Sequence, residues 1–230
     1  QGLEEKSVDM DVAESGTVSV PDVKLAKPVD HDAVIGGEIQ KAAELMKGGK
    51  PAEARKVYED ILAKYPQAQP AFRAQVYGAV AQTYVSENNA AGAAEQLKKA
   101  TEADPSNTDL QLVYGEMLMQ SSDPAQKAQG EKLLLGIDIS KVKDPFPYMN
   151  VVIGQINAQK PDEALALLNK LMTQFPTDTS LYYYRGRANL AAKKLPEAKA
   201  DLEKFVAGAP PSARELGDAK KILEQMKDVK

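Results

Sequence analysis

AGAAEQLKKATEADP, residues 91–105, is the stretch that decides the fold. Ala93, Leu97 and Ala100 recur at the spacing of one helical face, and Pro105 closes the run. Three further stretches read the same way: AEARKVYEDILAKYP (52–66), PDEALALLNKLMTQFP (161–176) and LPEAKADLEKFVAGAP (195–210). In the last two the apolar sets are Ala164, Leu168, Leu171 and Ala198, Leu202, Phe205. Prolines 66, 105, 145, 176 and 210 therefore punctuate the chain at roughly regular intervals, the mark of an internal repeat.

Upstream of each stretch lies a second helical segment that ends in a short polar turn. The turns are GGKP (48–51), ENNA (87–90), SSDP (121–124), AQKP (158–161) and KKLP (193–196). Proline is tolerated where the following helix starts, because its first amides have no helical acceptor. The repeating unit is thus two antiparallel helices joined by a tight turn, used five times.

These residues resemble the tetratricopeptide repeat. The second unit fits best, with Tyr77, Val80, Ala81 and Tyr84 on its first helix and Ala93, Leu97, Ala100 and Pro105 on its second. The fifth has Tyr182, Gly186, Ala198, Leu202 and Pro210, but Arg185 and Asn189 stand where apolar residues are usual. The third keeps Tyr114, Gly115 and Leu118, and its second helix (124–137) runs into the loop DISKVKDPFP. The fourth falls two residues short around Gly154, and the first lacks the early aromatic. The resemblance implies an all-α, right-handed α-solenoid with a concave and a convex face. Its repeats are expected at 36–66, 71–105, 108–145, 146–176 and 179–210. Leu216, Ala219, Leu223 and Met226 form one apolar stripe in 211–230, which reads as a helix capping the end of the stack.

Residues 1–35 have another texture and form the expected first segment. Val8, Met10 and Val12 alternate with polar residues, as do Val18 and Val20, which suggests an extended or β-hairpin arm with AESG as its turn. The arm carries 8 acids and 3 bases, which leaves 25 acids and 26 bases for the rest. A nearly neutral body argues against nucleic acid as a partner. No apolar run is long enough to span a membrane. The chain has no cysteine, which removes thiolate chemistry and disulfides. That absence suits an exported protein, and a chain beginning at Gln1 reads as processed, so a periplasmic or extracellular location is expected; otherwise the location is cytoplasmic.

Nothing in the sequence assembles a catalytic or metal site. His31 is the sole histidine, set between Asp30 and Asp32, and reads as solvated. Gly48-Gly49-Lys50 lacks the other residues of a phosphate loop and reads as a turn. No enzyme activity, metal or cofactor is expected. A protein or peptide partner is expected instead, in the groove that the resemblance assigns to the first helices.

Register from the small residue of each first helix places Gln75, Ala79 and Gln82 on that face. Asp109, Val113, Glu116 and Met119 follow, then Tyr148, Val152 and Gln155, then Tyr183, Tyr184 and Arg187. Gln82, Glu116, Met119, Tyr148, Gln155, Tyr183, Tyr184 and Arg187 are the candidate binding residues, with Tyr182 assigned to the core. Arg187 is the only cation on this face, so a clamp for a terminal carboxylate is not expected. Two readings remain open. One is a non-catalytic scaffold that binds a polypeptide. The other is a self-assembling subunit of a head-to-tail filament or homo-oligomer, joined through the N-terminal arm.

Overall fold

The computed structural model describes residues 31–227. The arm expected over residues 1–35 lies outside them up to residue 30. Residues 31–35 belong to the first helix, which begins five residues earlier than the expected first repeat. Among the described residues there are eleven α-helices, two single-turn 3₁₀ segments and no strand. No helix there is long and apolar enough to cross a membrane.

The helices come as five antiparallel hairpins and a last helix. They are α1 (His31–Lys47) with α2 (Pro51–Lys64), α3 (Pro70–Ser86) with α4 (Ala90–Ala103), α5 (Thr108–Gln120) with α6 (Pro124–Leu135), α7 (Met149–Asn157) with α8 (Pro161–Gln174), and α9 (Ser180–Ala191) with α10 (Leu195–Gly208), followed by α11 (Leu216–Gln225). Each hairpin packs against the next, α2 on α3, α4 on α5 and α8 on α9. The core runs along the stack as a series of neighbouring clusters. Ala42, Tyr58, Ile61 and Val80 form one, Ala81, Leu97, Tyr114 and Leu118 the next, and Leu134, Val152, Leu168 and Leu181 fill the largest. Phe205, Leu202, Ala219 and Met226 close the C-terminal end, with Leu216 and Leu223 of the terminal stripe packed against them.

Four of the five hairpins turn in the same way. Gly49, Asn88, Gln159 and Lys193 each adopt a positive φ, between 56° and 71°, two residues before the second helix starts. In each, the following amide donates to the carbonyl five residues back, as Lys50 does to Leu45, Asn89 to Tyr84, Lys160 to Gln155 and Lys194 to Asn189, all at 2.9 Å. This is the left-handed helix stop that satisfies the last carbonyls of the first helix.

The third hairpin departs from the pattern. Ser121 ends α5 in extended backbone, and Asp123 caps α6 by accepting from the Ala125 amide at 2.8 Å. After α6 the chain makes two 3₁₀ turns, Ile139–Lys141 packed on α8 and Phe146–Tyr148 packed on α5 and α7. Asp138 and Asp144 hold these turns by accepting from the amides of Ser140 (3.0 Å) and Phe146 (2.9 Å).

Candidate functional site

The concave-face register follows from where helices touch within a hairpin. Ala81, Gly115, Val152 and Gly186 are the residues buried at that contact on α3, α5, α7 and α9. Two residues before them stand Ala79, Val113, Asn150 and Tyr184, and one residue after them Gln82, Glu116, Ile153 and Arg187. Of these eight, Gln82, Val113, Ile153 and Arg187 are exposed and the others half-buried. The stripe is polar on α3, mixed apolar and acidic on α5, apolar on α7, and aromatic with a cation on α9.

The fourth hairpin corrects the sequence register. Gly154 was expected to be its small contact residue, but a side chain there would meet only the Met119 methyl, at 3.8 Å. At Gly115 a Cβ would lie 2.7 Å from Leu134 of the paired helix, and at Gly186 it would lie 2.8 Å from Leu202. Val152 holds the equivalent place, fully buried. A slip of two residues turns a helix by about 200°, so the expected face pointed inward. Tyr148 and Gln155 are accordingly buried, with 0% and 4% of their surface exposed, and neither lines an open groove. The Gln155 amide donates to Glu131 at 2.9 Å. Met119 is also buried, in the cluster with Met149 and Val152. The residues that face outward are Phe146, Ile153 and Asn157, with Asn150 half-buried between them. The spacing held the signal for this. In the other regular hairpins the contact residue stands twelve before the buried alanine of the second helix, as in Ala42–Ala54, Ala81–Ala93 and Gly186–Ala198. Counting back from Ala164 gives Val152.

On α9 the roles of two tyrosines are exchanged relative to expectation. Tyr183 is buried and Tyr182 only half-buried. The cause is α11, which covers Tyr183 together with Phe205, the ring centroids of Tyr183 and Phe205 lying 5.3 Å apart. The Tyr183 hydroxyl donates to Asp218 of α11 at 2.7 Å and accepts from Arg187 at 3.1 Å. Burial, and then the bond to Asp218, hold its pKa above the ordinary tyrosine value. Tyr182 instead lies under two cations, Arg185 and Lys204, at 5.6 and 5.4 Å from its ring centre.

Tyr184 and Arg187 keep the outward position. Tyr184 meets Tyr183 edge to face at 5.2 Å, and burial followed by Glu215 raises its pKa. Arg187 lies 5.8 Å over the Tyr183 ring and 3.9 Å from Asp218, with about half of its side chain in solvent. These groups, with Ile153 and Ile156 from α7 and Arg214 and Glu215 ahead of α11, enclose an open cavity of about 390 Å³. One wall is apolar and aromatic, the other carries charge of both signs.

A larger cleft, about 650 Å³, opens between α8, α9 and α10. Here Arg185 and Asn189 meet the reason for their unusual positions. Arg185 grips Asp201 of α10 with two bonds, 2.7 and 2.9 Å, and Asn189 donates to the same carboxylate at 3.0 Å. Asn169 accepts a further Arg185 N–H at 3.2 Å. Arg185, Asn189, Asp201 and Asn169 in this cleft are thus occupied with one another. Among the described residues no cluster of carboxylate, histidine or cysteine side chains could hold a metal ion.

Tetratricopeptide repeat family models match residues 39–68, 79–129 and 154–213. No curated protein sequence matches the chain. Among solved structures it is similar to YrrB, described as a TPR protein with an unusual peptide-binding site. Identity is 21% with a TM-score of 0.61, over 80% of this chain and 90% of that one. It is also similar to pilF of Pseudomonas aeruginosa, at 18% identity and TM-score 0.59, over 86% and 92%. A tetratricopeptide repeat protein from Parabacteroides merdae matches at 17% identity and TM-score 0.56, over 88% and 75%. Repeat matches along most of the described chain and helix hairpins stacked end to end agree: the chain belongs to the tetratricopeptide repeat family.

Proposed function

We propose that the protein is a non-catalytic scaffold that holds a polypeptide segment along its concave face, anchored at the C-terminal end by Tyr184 and Arg187. Proteins of this family are generally interaction scaffolds, and the finer reading is ours. The observation that carries it is the cavity bounded by Tyr184, Ile153, Ile156 and Arg187, where an apolar wall meets a cation that keeps about half of its side chain in solvent. Aromatic and arginine side chains in a partly enclosed site are the groups that dominate interface energetics. Arg187 has donors to spare, since among the described residues it makes one hydrogen bond, to Tyr183, and a long ion pair to Asp218. A peptide is the ligand class we carry over from the description of YrrB.

The test selects peptides from a random displayed library on the immobilised full-length chain. The Tyr184→Ala/Arg187→Ala variant, its helical circular dichroism unchanged, is expected to lose at least tenfold in affinity for the peptides retained. Equal affinity of variant and parent sinks the reading.

A further inference from the structure

The middle of the concave face, between α5 and α7, presents a second feature, which shares Ile153 with the tyrosine–arginine cavity. Val113, Phe146 and Ile153 expose 49%, 60% and 41% of their surfaces. Phe146 and Ile153 lie seven residues apart on the outer stripe of the 3₁₀ turn and α7, and that turn packs on α5, which carries Val113. Large apolar side chains exposed on adjoining elements mark an interaction surface, whereas scattered ones do not.

The surroundings of this patch are acidic. Asp109 is answered by Lys143 at 3.1 Å, which ties the loop to α5. Glu116 and Asp144 have no such answer: among the described residues neither has a cation within ion-pair distance. Glu116 accepts from Gln120 at 3.4 Å, and Asp144 accepts from the Phe146 amide. Glu116 is half-buried. Its carboxyl sits above the usual range, first because burial disfavours the charge and then because the negative charge of Asp144 repels it. Like charges held together beside apolar surface gain from an arriving cation, and complementary charge is what sets partner choice.

We infer that the middle of the groove selects polypeptide segments with a lysine or arginine beside an apolar side chain. The cation lies between Glu116 and Asp144, and the apolar group lies on Val113, Phe146 and Ile153. This rests on the groove reading above and adds the chemistry of the partner. An acidic segment would bring a third negative charge to the same spot, and a purely apolar one would desolvate two carboxylates without pairing them.

The probes are two labelled, end-blocked peptides, Ala-Leu-Lys-Phe-Leu-Lys-Ala and the same sequence with glutamate for lysine, titrated against the full-length chain by fluorescence polarisation. The basic peptide is expected to bind at least tenfold more tightly. Glu116→Gln/Asp144→Asn should cut that preference below threefold. Asp162→Asn/Glu163→Gln, which removes two carboxylates from α8, should leave it intact. Equal binding of both peptides to the parent overturns the inference and leaves the groove reading standing. A preference that survives Glu116→Gln/Asp144→Asn, or falls as much with the α8 variant, also overturns it. If neither peptide binds, both readings fall together.

Discussion

Helix α9 carries one arginine toward its seam with the paired helix α10 and one toward the concave face, and the two live differently. Arg185 is gripped twice by Asp201, once by Asn169, and keeps a quarter of its side chain in solvent. Arg187 makes one hydrogen bond, to a tyrosine hydroxyl, and keeps about half. The contrast repeats elsewhere with glycine and with aromatics. At the seam the protein fills the space around a residue and, for Arg185, its bonding capacity, whereas residues on the face have room left over. The seam between paired helices therefore carries stability, and the face is left largely uncommitted.

The largest effect should come from breaking the arginine half of this contrast. Arg185→Met strands Asp201, a carboxylate with only 5% of its side chain exposed, with Asn189 as its remaining partner. Leaving one member of a buried pair unpaired costs about 3–4 kcal/mol. Arg187→Met should cost under about 0.5 kcal/mol, since its ion pair is long and exposed. Urea denaturation of the two variants measures the difference, and equal costs would erase the distinction between seam and face.

The glycine half comes next. A Cβ at Gly130 of α6 would lie 2.8 Å from the Gly115 carbonyl oxygen and 2.9 Å from the Met119 amide, both backbone atoms that cannot rotate away. Gly130→Ala should therefore cost about 2–3 kcal/mol through overpacking. Gly154→Ala, on the open face, should be neutral or stabilise by up to about 1 kcal/mol, because alanine is the better helix former. Thermal melts of the pair decide it. A tolerated Gly130→Ala would mean that α5 and α6 are not held at this distance.

These pairs also show what the sequence could tell. The hairpins were legible because apolar spacing, terminal prolines and polar turns are local signals. Even the left-handed turn residues fall within the quoted motifs. What α9 does with its three tyrosines was not legible. Tyr183 is buried by α11, thirty-five residues along the chain, and only the packed structure brings Asp218 to its hydroxyl. The groove residues of α7 failed for a nearer reason. Gly154 offered itself as the small contact residue, while the true one, Val152, is β-branched and marked only by its distance to Ala164. The acidic middle was half visible: Glu116 was named, but its neighbour Asp144 sits in an irregular loop that periodicity does not reach.

The aromatic half gives the smallest effect and a pH signature. Tyr148 is fully buried and its hydroxyl has no hydrogen-bond partner among the described residues, whereas Phe146, two residues earlier, stands on the face. A buried hydroxyl without a hydrogen bond is better removed, so Tyr148→Phe should stabilise by about 1 kcal/mol at neutral pH. Burial pushes the Tyr148 pKa up to about 12, from an ordinary value of 10. The folded state thus holds the proton longer than the unfolded one. Its contribution is complete below pH 10 and is lost as pH rises from 10 toward 12. The advantage of Tyr148→Phe should widen over that interval, because phenylalanine has no proton to lose. Phe146→Ala should show no such dependence and should cost under about 1 kcal/mol, with its loss appearing instead in peptide affinity. Chemical denaturation at pH 7, 9 and 10.5 follows both. A constant difference between Tyr148→Phe and the parent would mean that this hydroxyl reaches solvent, and that Tyr148 belongs to the face after all.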